Sequence, residues 1–166
     1  MHILITNKFL IYNDYKVKCA LGKRGIGNKK REGDCITPKG LFKIKYILYR
    51  KDRINKIETK IKKIVIKKNM AWCDDPKTLK YNKLIKKPFN FTYEDLYKKN
   101  NIYDIVAVLD FNMKPIRKGK GSAIFIHIAK RNFNKTEGCI AIKKYALLKI
   151  LKKISLNTKV KILSQK

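Results

Sequence analysis

The sequence predicts a mainly β protein with one substantial helix near its C-terminus. Three observations carry this. Short segments alternate apolar residues with lysine, two β-branched runs lie further along, and only one stretch repeats at helical spacing. The 166 residues suit a single domain, spanning 1–166, with a real core.

In chain order, Ile3–Ile5 and Phe9–Tyr12 with the Asn13-Asp14 turn, followed by Tyr15, Val17 and Cys19, read as a β-hairpin. Gly22 to Gly40 reads as a glycine- and charge-rich connection. Its Gly22-Lys-Arg-Gly25-Ile-Gly27 lacks the Gly-Lys-Ser/Thr of a phosphate loop and reads as a turn between strands. Leu41–Tyr49 alternates as a long strand, and Ile57, Ile61, Ile64, Val65 and Ile66 suggest a further hairpin. Asn69 to Phe91 reads as ordered but irregular. Thr92-Tyr93-Glu94-Asp95 reads as a short helix start with Thr92 as N-cap. Ile105–Phe111 and Ala123–Ile128 are core strands, Ile142 to Ile154 is the amphipathic helix, and Val160–Leu163 is the closing strand.

Forty-two Lys and Arg against twelve Asp and Glu leave a net charge of +30. That excess raises a polyanionic partner, and a basic RNA-binding module stands as a reading of another class. Lysine dominates and is spread along the chain, without interleaved aromatic–basic motifs, so non-specific nucleic-acid binding is the most that is expected. No charged segment with a long apolar run opens the chain, and no run is long enough to span a bilayer. As written the chain reads as cytoplasmic, or periplasmic if a signal was removed. The four cysteines fit no disulfide or zinc spacing, so thiols are the expectation and no metal site is predicted.

The chemistry concentrates in two places. Ser122-Ala-Ile-Phe-Ile-His127 delivers a histidine at a strand end, and Thr136-Glu137-Gly138-Cys139 follows after a polar loop. A thiol becomes a good nucleophile once deprotonated, and a neighbouring imidazole is the usual means. Gly138 allows close backbone approach and would leave amides beside Cys139 for an oxyanion hole. The other histidine, His2, sits at an edge. Spacing alone leaves open a structural histidine and a merely small cysteine.

His127 with Thr136-Glu-Gly-Cys139, and the upstream Gly33-Asp34-Cys35-Ile36-Thr37-Pro38-Lys39-Gly40-Leu41-Phe42, together resemble the L,D-transpeptidase catalytic family of YkuD type. Trp72-Cys-Asp74-Asp-Pro, Tyr81-Asn82, Tyr103-Asp104 and Gly119-Lys-Gly-Ser122-Ala are similar to a branch of stand-alone domains. The resemblance implies a β-sandwich-like fold of mixed sheets. It implies peptidoglycan stem peptides as substrate, Cys139 as nucleophile through a thioester with release of D-alanine, His127 as general base and acid, and no cofactor. The outcome is transpeptidation, or hydrolysis by an L,D-carboxypeptidase if water resolves the thioester. Thr136, Trp72, Asp74, Tyr81, Asn82 and Ser122 are expected against substrate or as the wall of the cleft, and the protein is expected to act as a monomer. The sequence departs from the family at Glu137, Ala141 and Ile128, where His, Arg and Gly are common. Lys143 or Arg131 are the candidates to replace the missing arginine.

Overall fold

The computed structural model describes residues 2–164; Met1, Gln165 and Lys166 of the expected 1–166 domain lie outside the described residues. The strands are β1 (His2–Ile5), β2 (Phe9–Tyr12), β3 (Tyr15–Lys18), β4 (Ile26–Gly27), β5 (Thr37–Pro38), β6 (Gly40–Tyr49) and β7 (Lys63–Val65). They continue with β8 (Met70–Cys73), β9 (Leu84–Lys86), β10 (Tyr93–Asp95), β11 (Ile105–Leu109), β12 (Phe125–Ile128), β13 (Ile140–Ile142) and β14 (Lys159–Ile162). The helix α1 (Lys144–Lys153) precedes β14. The fold is mainly β with mixed sheets and this one helix.

A mixed sheet runs in the order β13-β12-β11-β6-β14-β1-β2-β3, with β7 added to β6. It curls until its ends approach, because Ala20, just after β3, bridges Ala141 of β13, and Gly22 bridges Thr136. Its inner face buries Ile3, Ile5, Leu10, Ile105, Leu109, Ile126 and Val160 in one core with α1. The helix turns Ala146, Leu147, Ile150 and Leu151 inward, a spacing that makes one apolar stripe. No side chain caps its N-terminus, while Lys152 and Lys153 in the last turn complement its dipole.

The outer face is covered over only part of its width. There a small sheet, ordered β10-β8-β9, packs Met70 and Trp72 onto Leu48, Val106, Val108 and Phe125. In β6 the alternation changes phase near Lys45, where a bulge shifts the pairing with β11 between Val108 and Leu109. The bulge lets Phe42 and Ile44 join the inner core and Tyr46 and Leu48 the outer one.

Several expectations need correction. The N-terminal hairpin is a three-stranded meander. Residues 63–65 are not half of a hairpin: they join β6 in parallel, and Ile54, Ile57 and Ile61 plug the inner core from a loop. The stretch 69–91, expected to be irregular, contains β8 and β9. Thr92 starts no helix. Its hydroxyl donates to Asp74 Oδ1 at 2.6 Å, its N–H donates to Asp75 Oδ2 at 3.3 Å, and Tyr93–Asp95 pairs with Ala71–Cys73. Tertiary pairing overrides a local capping signal worth about 1 kcal/mol.

Candidate active site

The two sequence motifs meet in space. Asp34 is buried and accepts from Lys29 Nζ at 2.6 Å and from the amides of Lys30, Ile36 and Arg31 at 2.8, 3.1 and 3.3 Å. Burial alone would raise its carboxyl, but Lys29 and these amides outweigh burial and hold it at about 2. Thr37, fully buried, accepts from Gly22 N–H at 2.9 Å. Gly22 passes so close to Cys35 that a Cβ there would meet its carbonyl oxygen at 2.3 Å. Thr136 N–H donates to Leu21 O and Lys23 N–H to Thr136 O, both at 2.9 Å. Residues 21–23 thus tie the upstream motif to the Thr136–Cys139 turn. Gly138, at φ +139°, rests on Ile36, whose oxygen would lie 3.0 Å from an added Cβ.

In the parallel pairing of β12 with β13, His127 opposes Ala141 and Ile126 opposes Ile140. Cys139 lies two residues before Ala141, so alternation puts its side chain on the face that carries His127 and Phe125. Both Cys139 and His127 line a cavity of about 700 Å³. The cysteine thiol donates to Ala123 O at 3.0 Å. His127 is buried, its Nδ1 lies 3.0 Å from Ile128 O, and its ring stands edge-on to Tyr103 with centroids 5.4 Å apart. A carbonyl oxygen can only accept a hydrogen bond, so Nδ1 carries the hydrogen and Nε2 the lone pair.

Burial dominates both titrations. It lowers His127 to about 4, helped by Lys130 and opposed by the Ile128 carbonyl. It pushes Cys139 up to about 12, with the Phe125 amide and Lys29 opposing and Glu94 and Glu137 adding to the rise. Burial thus favours neutral thiol over thiolate and neutral imidazole over imidazolium at this site.

The remaining expected residues divide. Ser122, Asp74 and Thr136 line the cavity. Ser122 Oγ is buried beside the Tyr81 hydroxyl. The Thr136 hydroxyl donates to Cys139 O at 2.6 Å and accepts from Gly138 N–H at 3.1 Å. Gly138's amide is thus taken rather than free, which corrects the expectation of an open oxyanion donor at that atom. Trp72, Tyr81 and Asn82 do not line the cavity but stand behind it. Asn82 Oδ1 accepts from Trp72 Nε1 and from Ala123 N–H, both at 3.1 Å, while its Nδ2 donates to Phe111 O and Asn112 O. Trp72 also packs edge-on against Phe125. Tyr81 donates to Glu32 and accepts from Gly121 N–H at 2.9 Å.

Neither Lys143 nor Arg131 lines the cavity; Lys23, Lys29, Lys130 and Lys135 do. Glu137 is exposed and 3.8 Å from Lys23. Sequence reasoning also missed Glu94 and gave Tyr103 no role. Burial raises the Tyr103 hydroxyl well above its usual range, with Cys139, Glu94 and Glu137 adding to it. Glu94 was hidden by the false helix signal. Tyr103 depends on the loop ahead of β11, which two of the chain's few arginines pin. Arg50 donates to Lys98 O and bidentately to Asp52, and Arg53 donates to Lys99 O, Asn100 O and Asp104. No group of three or more His, Cys, Asp or Glu among the described residues is placed to hold a metal ion.

A half-buried thiol just ahead of β13 and a buried imidazole on β12, lining one cavity, make an arrangement suited to thiol-based acyl transfer. The L,D-transpeptidase catalytic domain family, YkuD, matches residues 3–162, and the chain belongs to it, a cysteine-dependent peptidoglycan-modifying enzyme family. Among solved structures, the chain is similar to a mutant of the helical cell shape determining protein Pgp2 from Campylobacter jejuni, at 18% identity and a TM-score of 0.45. The match covers 99% of this chain and 47% of that one, so the chain spans less than half of that protein's length. No curated protein matches.

Proposed function

We propose that the protein is an L,D-transpeptidase that acts on peptidoglycan stem peptides through a thioester on Cys139. The carrying observation is that Cys139 and His127 line one cavity, with Nδ1 of His127 held by Ile128 and Nε2 left as the base. As Sγ bonds to the carbonyl carbon of the donor's third residue, its proton passes to Nε2. Burial disfavours the thiolate, which favours proton transfer together with attack. The tetrahedral intermediate then breaks its C–N bond, the terminal D-alanine takes the proton from Nε2, and the thioester remains. An amine of a second stem resolves it with formation of a new amide and return of the thiol.

Mass spectrometry of the protein with a synthetic tetrapeptide stem tests this. A Cys139 adduct with loss of D-alanine, absent in Cys139→Ala, is expected. No adduct, or an adduct that survives Cys139→Ala, would overturn the assignment. Adding a stem amine separates cross-linked product from tripeptide, and thus transpeptidase from carboxypeptidase.

A further inference from the structure

We infer that the uncovered part of the outer sheet face, formed by β3, β2, β1, β14 and β6, docks the protein on an anionic lipid surface. The pairing aligns one unbroken cross-strand row on this face: Lys16 opposes Ile11, Ile11 opposes Leu4, Leu4 opposes Lys161, and Lys161 opposes Leu41. On one side of this row Lys18 stands beside Phe9, and on its other side Lys159 stands between His2 and Lys43. Alternate residues of these strands point into the core, so all of these side chains face outward. Leu41 is 50% exposed.

None of these five strands contains an Asp or Glu. Asp14, in the turn after β2, and Asp110, which accepts from Lys43 N–H, stand at its margins. The face therefore meets a negative partner without internal neutralisation.

The choice of lipid rests on what lies between the lysines. Leu4 and Ile11 lie between Lys16 and Lys161, Leu41 follows Lys161, and the Lys16 ammonium stands 4.2 Å from the Phe9 ring centroid. Nucleic acid or an acidic polymer would reward the lysines but leave Leu4, Ile11 and Leu41 unused. A bilayer rewards both, since lysine stems lie along the apolar boundary while their ammonium groups reach phosphates. The small sheet covers the outer face over β11 and β12, so the lipid-facing part and the cavity belong to different regions of one curled sheet.

Co-sedimentation with vesicles of equal parts phosphatidylglycerol and phosphatidylcholine tests the proposal. Lys43→Glu with Lys161→Glu should reduce partitioning at least about tenfold, since each lysine near an anionic surface contributes appreciably. Lys51→Glu with Lys68→Glu makes the same change in net charge elsewhere and should reduce it less than about twofold. Leu41→Ser should weaken vesicle binding and leave binding of a single-stranded RNA oligonucleotide unchanged. Equal losses from the two double variants would mean diffuse charge and overturn the proposal. Losses confined to RNA binding would reassign the face to nucleic acid and overturn it equally. Should the double variant fail to fold, Lys161→Gln alone carries the comparison, against Lys68→Gln.

Discussion

The Cys139 thiol is held by Ala123, whose carbonyl accepts its hydrogen bond at 3.0 Å. Ala123 in turn sits at φ +52° and gives its N–H to Asn82. The thiol's position is therefore set by a residue in a left-handed conformation, and that residue is set by a buried amide which also holds Trp72. Ala123→Gly should keep acylation of Cys139 by a stem peptide, because glycine adopts this φ freely. Ala123→Val should lower it at least about tenfold, since a β-branched residue at positive φ costs roughly 1–3 kcal/mol and will shift the carbonyl. Retained activity in the valine variant would show that the Ala123 carbonyl does not position the thiol.

Trp72→Phe isolates the support behind the wall. It removes the Nε1 donor and leaves Asn82 with one fewer partner, at a net cost of about 1 kcal/mol. Thermal unfolding should register that loss while the Michaelis constant for the stem peptide stays unchanged, because Trp72 does not line the cavity. A selective rise in the Michaelis constant would restore Trp72 as a substrate contact.

Titration of His127 and Cys139 gives the protein a defined pH window. The folded-state pKa of His127, about 4, lies below its ordinary value of 6.5, so the unfolded chain binds more protons between the two. Stability should then fall as pH drops from about 6.5 to 4, by on the order of 3 kcal/mol, and His127→Gln should flatten that slope. At the other end, Cys139 is raised from 9.0 to about 12, so stability should decline as pH rises above 9. Alkylation of Cys139 in the free protein should climb through this alkaline range, whereas acylation by a stem peptide stays flat near neutrality. Parallel profiles for the two reactions would mean that a thiolate exists before substrate binds.

Much of this was legible in the sequence because the motifs are local. Thr136–Cys139 forms its turn with its own hydroxyl, and Asp34 finds its donors within five residues. The helix and the long strand β6 announce themselves by period. What escaped depends on contacts between distant segments. Thr92 and Glu94 follow a helix-start pattern, yet the segment joins a sheet whose other strands lie well upstream. Tyr103 looks like any tyrosine until Arg50 and Arg53 fix its loop. Gly138 promised a free amide, but the hydroxyl that makes the turn consumes it.

Lys130 offers the sharpest test of how the site manages without the arginine common in the family at Ala141. Ala141 lines the cavity as a small apolar surface, so under the proposed function a donor's terminal carboxylate would find its cation elsewhere. Lys130 and Lys135 lie on the loop between β12 and β13 and line the same cavity, and Lys130 also depresses the His127 pKa through its charge. One substitution should therefore produce two separable effects. Lys130→Ala should raise the Michaelis constant for a tetrapeptide with a free C-terminal carboxylate about fivefold, the ~1 kcal/mol of an exposed ion pair. It should leave the constant for the C-terminal amide unchanged. Removing the positive charge also lets the His127 pKa rise, so the acid limb of kcat/KM should move upward in pH for both peptides. Lys135→Ala should affect the first measurement at most. If Lys130→Ala weakens the acid and the amide equally and leaves the acid limb in place, Lys130 serves neither the substrate carboxylate nor the base.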